Sequence, residues 1–216
     1  MAFRRFKVQL TGTAPILFSN GQGIDVLSPQ ALAIKWFTNQ KQKKNERAMR
    51  RLFWLFSAYW ATEGTFDYGE DLKGDSSFEG FADPSIPADN MQRCLRDAAV
   101  DWKKGKEVGR AVAVENDATI IYDGPKDAVE MFNDGRYYHC KPTGRGGVAV
   151  RMVLPSWQVE YNMLLNDEIS DVRTLGMVLD RAGMATGLGT WRPGSPKPGR
   201  FGRFVVSDMT EMKADV

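Results

Sequence analysis

Gly187-Leu-Gly189-Thr-Trp191-Arg192-Pro193-Gly194-Ser-Pro-Lys197-Pro-Gly199-Arg200-Phe201-Gly202-Arg203-Phe-Val-Val206 holds five glycines, three prolines and four cations, and no acid. Such a composition makes a poor core and suits a loop whose backbone lies close to something anionic. Glycines let the chain turn so that several N–H groups face one anion, and Arg192, Lys197, Arg200 and Arg203 add charge. Phosphate is the expected partner, with Gly187, Gly189, Gly199 and Gly202 allowing its close approach. Trp191 offers a flat face for a base, worth roughly 1–3 kcal/mol per stacked base. The stretch has no Gly-Lys-Ser/Thr ending and no helix after it, so it is not a nucleoside-triphosphate loop. The alternative is a surface loop in which Gly183 or Gly187 merely caps the preceding helix.

A second cationic group, Lys41, Lys43, Lys44, Arg47, Arg50 and Arg51, faces only Glu46. On a helix Lys43, Arg47 and Arg50 share one face with Arg51 at its edge, a stripe suited to phosphates or simply to solvent. The segment with Asp67, Glu70, Asp71, Asp75, Glu79 and Asp83 lacks the spacing of a calcium loop. It is expected to be a solvated loop, or to meet a basic face of a second copy in head-to-tail assembly. The lone histidine, His139, sits in Tyr137-Tyr138-His139-Cys140-Lys141. A general-base role in RNA cleavage is conceivable for it, but the chain is expected to be non-catalytic, because no other constellation of a nucleophile or paired carboxylates is present.

The 216 residues are 43% apolar and 26% charged, with a net charge of +2. That is enough for a real core, and it leaves a nucleic-acid reading to rest on where the charges sit. Cys94 and Cys140 are far apart and outside any Cys-x-x-Cys spacing, which points to free thiols; no metal and no cofactor are expected. Leu52–Ala61 is too short to span a bilayer, and the N-terminus carries no long apolar run. A soluble, cytoplasmic protein without membrane partners is expected.

The alternation of Phe6, Val8 and Leu10 predicts a strand over 3–10. Ser28-Pro29 starts a helix; a second, greasy all round, fits 43–62; a third opens at Pro87 with Met91, Leu95, Ala98 and Trp102 on one face. Strands are expected at 111–122, 148–154 and 157–165, a helix at 167–184 with Ile169, Val172, Leu175, Leu179 and Ala182 inward, and a last strand at 201–206. Residues 125–146 read as irregular. The fold class is α+β, a ferredoxin-like (RRM-like) βαββαβ core of strands 3–10, 148–154, 157–165 and 201–206. One domain over 1–206 is expected, with insertions at 20–86 and 105–146 and a flexible tail from 207 to 216.

Three islands carry a resemblance: Leu10-Thr-Gly12-Thr-Ala-Pro15-Ile-Leu17, Ile86-Pro87-Ala-Asp-Asn-Met91-Gln-Arg93-Cys-Leu95-Arg96, and Gly187–Phe204. In their order the chain resembles the RAMP superfamily of CRISPR systems, the backbone subunits that bind guide RNA and, more distantly, the repeat-processing endoribonucleases. The Gly-Leu-Gly-x-Trp-Arg-Pro and Phe-Gly-Arg-Phe pieces are similar to small phage and prophage proteins. The resemblance implies a ferredoxin-like fold and nucleic-acid contact at Gly187, Gly189, Gly199, Arg200, Gly202 and Arg203. It implies single-stranded RNA or DNA as partner, self-assembly, or contact with CRISPR or other defence proteins. The processing enzymes place a catalytic histidine in the N-terminal part, where this chain has none, so a metal-independent endoribonuclease is the lesser alternative. A phage protein that binds or mimics a defence-complex subunit is another.

Overall fold

A computed structural model describes residues 3–21, 25–39, 45–68, 76–142 and 148–212. In chain order the elements are β1 (Phe3–Gly12), β2 (Ile16–Leu17), α1 (Pro29–Asn39), α2 (Glu46–Leu55), β3 (Tyr59–Thr62), β4 (Thr65–Asp67), β5 (Ser77–Glu79), β6 (Ala82–Ile86), α3 (Ala88–Ala98), α4 (Gly105–Ala111), β7 (Val112–Val114), β8 (Ala118–Thr119), α5 (Ala128–Asp134), β9 (Tyr138–Pro142), β10 (Val148–Leu154), β11 (Gln158–Asn166), α6 (Val172–Arg181) and β12 (Phe204–Met212). The mixture of helix and strand is that of an α+β protein. The chain divides into two compact units, one of Met1–Leu17, Ser85–Asp123 and Pro155–Val216, the other of Phe18–Pro84 and Gly124–Leu154.

The first unit is built on an antiparallel sheet in the order β12-β1-β11-β7. Period-two alternation sends Phe6, Val8 and Leu10 of β1 and Val159, Tyr161, Met163 and Leu165 of β11 to one buried face. Helices α3 and α6 pack on each other and add Met91, Leu95, Leu175 and Leu179 to the interior. Burial pushes the Tyr161 phenol up from its ordinary value, which keeps it a donor to the Ile86 carbonyl at 3.2 Å. The opposite face carries ion pairs, Lys7–Glu160 and Arg5–Glu115, both at 2.9 Å. Through β1 and β11 this face presents Arg5, Lys7, Gln9, Thr11, Gln158, Glu160, Asn162 and Leu164, with a single aromatic side chain, the exposed Phe3, at the start of β1.

Several expectations are corrected. The strand beside β11 is β7, whereas Val148–Leu154 pairs with β9 in the second unit. The placement of β7 is fixed by Gln92 of α3, whose amide donates to the Val112 carbonyl and accepts from the Val114 N–H. Residues 207–212 continue β12 along β1 past a bulge at Gln9/Leu10. Trp102 and Ile169, expected inward, are both 37% exposed. Helix α6 starts only at Val172, where Asp171 accepts from the Thr174 N–H.

In the second unit Ser28 caps α1 as expected, accepting from the Ala31 N–H at 3.1 Å. The helix expected over 43–62 is shorter. Asn45 caps it, and it ends at Leu55, after which Ser57 donates to the Trp54 carbonyl and Tyr59–Thr62 turns to strand. Trp54 is fully buried, its ring 5.3 Å from Phe132 and 6.2 Å from Phe78, and its indole N–H donates to the Tyr137 carbonyl. The stretch expected to be irregular holds α5, with Asp127 accepting from the Val129 and Glu130 N–H groups and Gly135 closing it at φ 76°.

Leu10 lies fully inside the first unit, so Leu10→Ala is expected to cost about 2–5 kcal/mol in urea unfolding. Lys7→Ala, which removes only an exposed ion pair, should change stability by about 1 kcal/mol or less. Equal effects would place β1 elsewhere.

Candidate nucleic-acid interface

The three islands, far apart in sequence, meet in the first unit. The turn after β1 wraps Trp157: Gly12 N–H donates to the Trp157 carbonyl, and the indole donates to the Ala14 carbonyl at 2.8 Å. A side chain at Gly12 would overlap the indole ring. The 187–203 loop then lies on this turn. Gly202 N–H donates to the Pro15 carbonyl, Thr190 N–H to the Leu17 carbonyl and Thr13 N–H to the Arg203 carbonyl, each at 2.8 Å. From α3, Cys94 Sγ reaches the Gly187 carbonyl at 3.3 Å.

The glycines make this approach possible. Gly187, Gly189 and Gly202 have φ of 73°, 77° and 71°, a region that side chains disfavour. A Cβ at Gly189 would overlap the Leu17 carbonyl, one at Gly202 the Leu188 carbonyl, and one at Gly199 the Trp191 carbonyl. The N–H groups of Gly187, Leu188, Thr190, Gly194, Ser195, Gly199, Phe201 and Gly202 all donate to carbonyls of this chain. The backbone expected to cradle an anion is thus used to fold the loop on its own unit, and Leu188 and Phe201 are buried beneath it.

The four loop cations separate into two kinds. Arg192 is partly buried; its Nη1 lies 3.4 Å from the Gly187 carbonyl and 3.5 Å from that of Thr186, and its Nη2 is 3.9 Å from Asp97 of α3. It caps the carbonyls left open at the end of the helical turn after α6, a structural use of its charge. Lys197, Arg200 and Arg203 are exposed, and none forms an ion pair among the described residues. Arg203 donates to the Met184 carbonyl at 3.3 Å, and Arg200 lies 5.6 Å from the Phe201 ring. Trp191 takes φ 49°, which for a bulky residue costs about 1–3 kcal/mol. That conformation holds its partly exposed ring 6.4 Å from Phe201.

The other site candidates belong to the second unit. Lys43 and Lys44 lie outside the described residues. Arg51 is internal, donating to the Ser76 carbonyl and stacking 4.7 Å over Phe78. Arg50 pairs with Glu46 at 2.9 Å, and both line a cleft of about 360 Å³ with Arg47, Phe132 and Tyr138. His139 is partly buried on β9, directly across the ladder from Arg151. Of the acidic segment, residues 69–75 lie outside the described residues. Sequence reasoning missed the internal acceptors of the loop, Asp97 and the carbonyls of Pro15 and Leu17. The first island contains Pro15 and Leu17, and the second ends one residue before Asp97, without either stating the contacts.

No protein-family model matches this sequence, and no curated protein matches it. Among solved structures, a chain of the "Cryo-EM structure of the Type III-B Cmr-beta bound to cognate target RNA" aligns with 98% of this chain at 12% identity and a TM-score of 0.45. This chain spans 61% of the length of that one. No helix among the described residues is long and apolar enough to cross a membrane.

Burial pushes the Cys94 thiol up to about 12, whereas Cys140 is exposed. Iodoacetamide at neutral pH should therefore label one thiol in the native protein, Cys140, and the second only after unfolding. Gly202→Ala should cost at least about 2 kcal/mol and release Cys94 to labelling, through both positive φ and overlap with Leu188. Rapid labelling of Cys94 in the unsubstituted protein would show that the loop is not docked.

Proposed function

We propose that this protein binds single-stranded nucleic acid, RNA or DNA, without cutting it, through the outward side of the 187–203 loop. The observation that carries this reading is the separation of roles within the loop. Eight of its backbone N–H groups and Arg192 are committed internally, while Lys197, Arg200 and Arg203 stand exposed without a carboxylate partner among the described residues. Three cations held on a fixed backbone suit a row of phosphates, because little ordering entropy remains to be lost on binding. The strained Trp191 holds a ring at the edge of this row, where an unpaired base can stack; a duplex keeps its base faces inside.

The open face of the sheet favours this site over binding across the strands. Its Lys7 and Arg5 already face Glu160 and Glu115, and its central strands offer one ring only, Phe3 at the first residue of β1, where RRM-like sheets stack two or three bases. The run β1-α3-β7-β11-α6-β12 with its strand order supports a ferredoxin-like core for the first unit, and the meeting of the three islands supports the RAMP-like reading. Arg47 and Arg50 provide a second cationic surface on α2, tempered by Glu46.

Fluorescence anisotropy with labelled single-stranded RNA and DNA at low and physiological salt tests this. Binding is expected to weaken with salt. Lys197→Glu/Arg200→Glu/Arg203→Glu together should weaken it at least about tenfold and flatten the salt dependence by roughly 0.7 per lost phosphate contact. Trp191→Ala should weaken it by about 1–3 kcal/mol. Absence of binding at low salt, or binding untouched by the triple substitution, overturns the reading.

A further inference from the structure

The second unit contains an arginine that the loop chemistry does not use. Arg151 stands in β10 between Val150 and Met152, both fully buried; alternation turns it to the other face of the strand. There it is partly buried and borders a cavity of about 350 Å³. Its guanidinium donates to the carbonyl of its neighbour Val150 at 3.1 Å, and no carboxylate among the described residues forms an ion pair with it. Its cross-strand neighbour is His139, not an acid. Burial lowers the basicity of the guanidinium, the mark of a charge without compensation.

Around this cation the cavity has two kinds of wall. Ile34 of α1 and Phe53 and Phe56 at the end of α2 supply partly exposed apolar surface. Ser19 and Asn20 supply polar groups on another side. The floor is fixed: Ser57 donates to the Trp54 carbonyl and accepts from the Met152 N–H, and the Asn20 amide donates to the Ala58 carbonyl. The volume is at the lower end of the roughly 300–1,000 Å³ of ligand sites, room for one ring and one anionic group.

We propose that this cavity binds a phosphate monoester carried on a flat ring, a nucleoside 5′-monophosphate, with the phosphate on the Arg151 fork and the ring against Phe53 and Phe56. A guanidinium presents paired donors that match two phosphate oxygens, and Ser19 is within the same cavity to serve a third. The monophosphate is either a free nucleotide or the phosphorylated 5′ end of a strand. The cavity is lined by residues of the second unit alone and shares none with the 187–203 loop.

Calorimetry and thermal unfolding with AMP, adenosine and inorganic phosphate test the assignment. AMP should bind more tightly than either of its parts. Arg151→Gln should weaken AMP at least about tenfold and Arg151→Lys by less, since a lysine keeps the charge without the fork. Arg151→Met should raise the melting temperature of the free protein, because a half-buried charge with no carboxylate beside it among the described residues is lost. The Lys197/Arg200/Arg203 reversal should leave AMP binding unchanged, which separates this result from the fate of the loop reading. In that background, tighter binding of a 5′-phosphorylated than of a 5′-hydroxyl oligonucleotide assigns the strand end; equal binding with AMP retained assigns the free nucleotide. Failure of AMP to bind at millimolar concentration, adenosine binding as well as AMP, AMP binding unaffected by Arg151→Gln, or a lowered melting temperature in Arg151→Met overturns the proposal.

Discussion

The docking of one backbone on another, the 187–203 loop on the turn after β1, is the constraint from which the rest of the first unit follows. Peptide groups meet without side chains between them: Gly202 N–H on the Pro15 carbonyl and Thr190 N–H on the Leu17 carbonyl. This requires glycine where a Cβ would strike a carbonyl, and it requires Trp157 to shape the turn from below. Each such hydrogen bond adds only about 1 kcal/mol net, but leaving buried partners unpaired would cost about 1–3 kcal/mol per group. The set therefore holds as a unit or is lost as a unit.

A loop held this way differs in function from a flexible one. A floppy glycine-rich segment would lose conformational entropy on gripping a strand, roughly 1–2 kcal/mol per residue fixed. Here that loss falls on folding, and the strain at Trp191 is borne by the same contacts. The cations left outside, Lys197, Arg200 and Arg203, are presented rather than recruited. Arg192, the same residue type as Arg200 and Arg203, serves instead to close the end of the helix before the loop.

Much of this framework was legible in the sequence. Strong alternation announced β1 and β11, Ser28-Pro29 announced α1, and Pro87 with its apolar spacing announced α3. A strand within 111–122 was expected, but not that Val112–Val114 and not β10 would join β11, because a Gln92 amide on another element decides their place. Helix α5 was legible but unread: Asp127 and Glu130 form a start signal and Gly135 a stop. The glycines were read correctly as sites of close approach, but a sequence does not distinguish a ligand from the chain's own carbonyls. The separation of Arg192 from its neighbours depends on Asp97, which lies on another element. Arg151 gave a sign of its own, a cation within Val-Ala-Val-Arg-Met-Val-Leu, whose meaning needed the walls around it.

Hydrogen–deuterium exchange of the loop amides, with and without single-stranded RNA, tests the central claim most directly. The account predicts that Leu188, Thr190 and Gly202 are protected in the free protein as strongly as the neighbouring β1 amides, and that RNA changes them little. Rapid exchange of these amides in the free protein, slowed only when RNA is added, would contradict it.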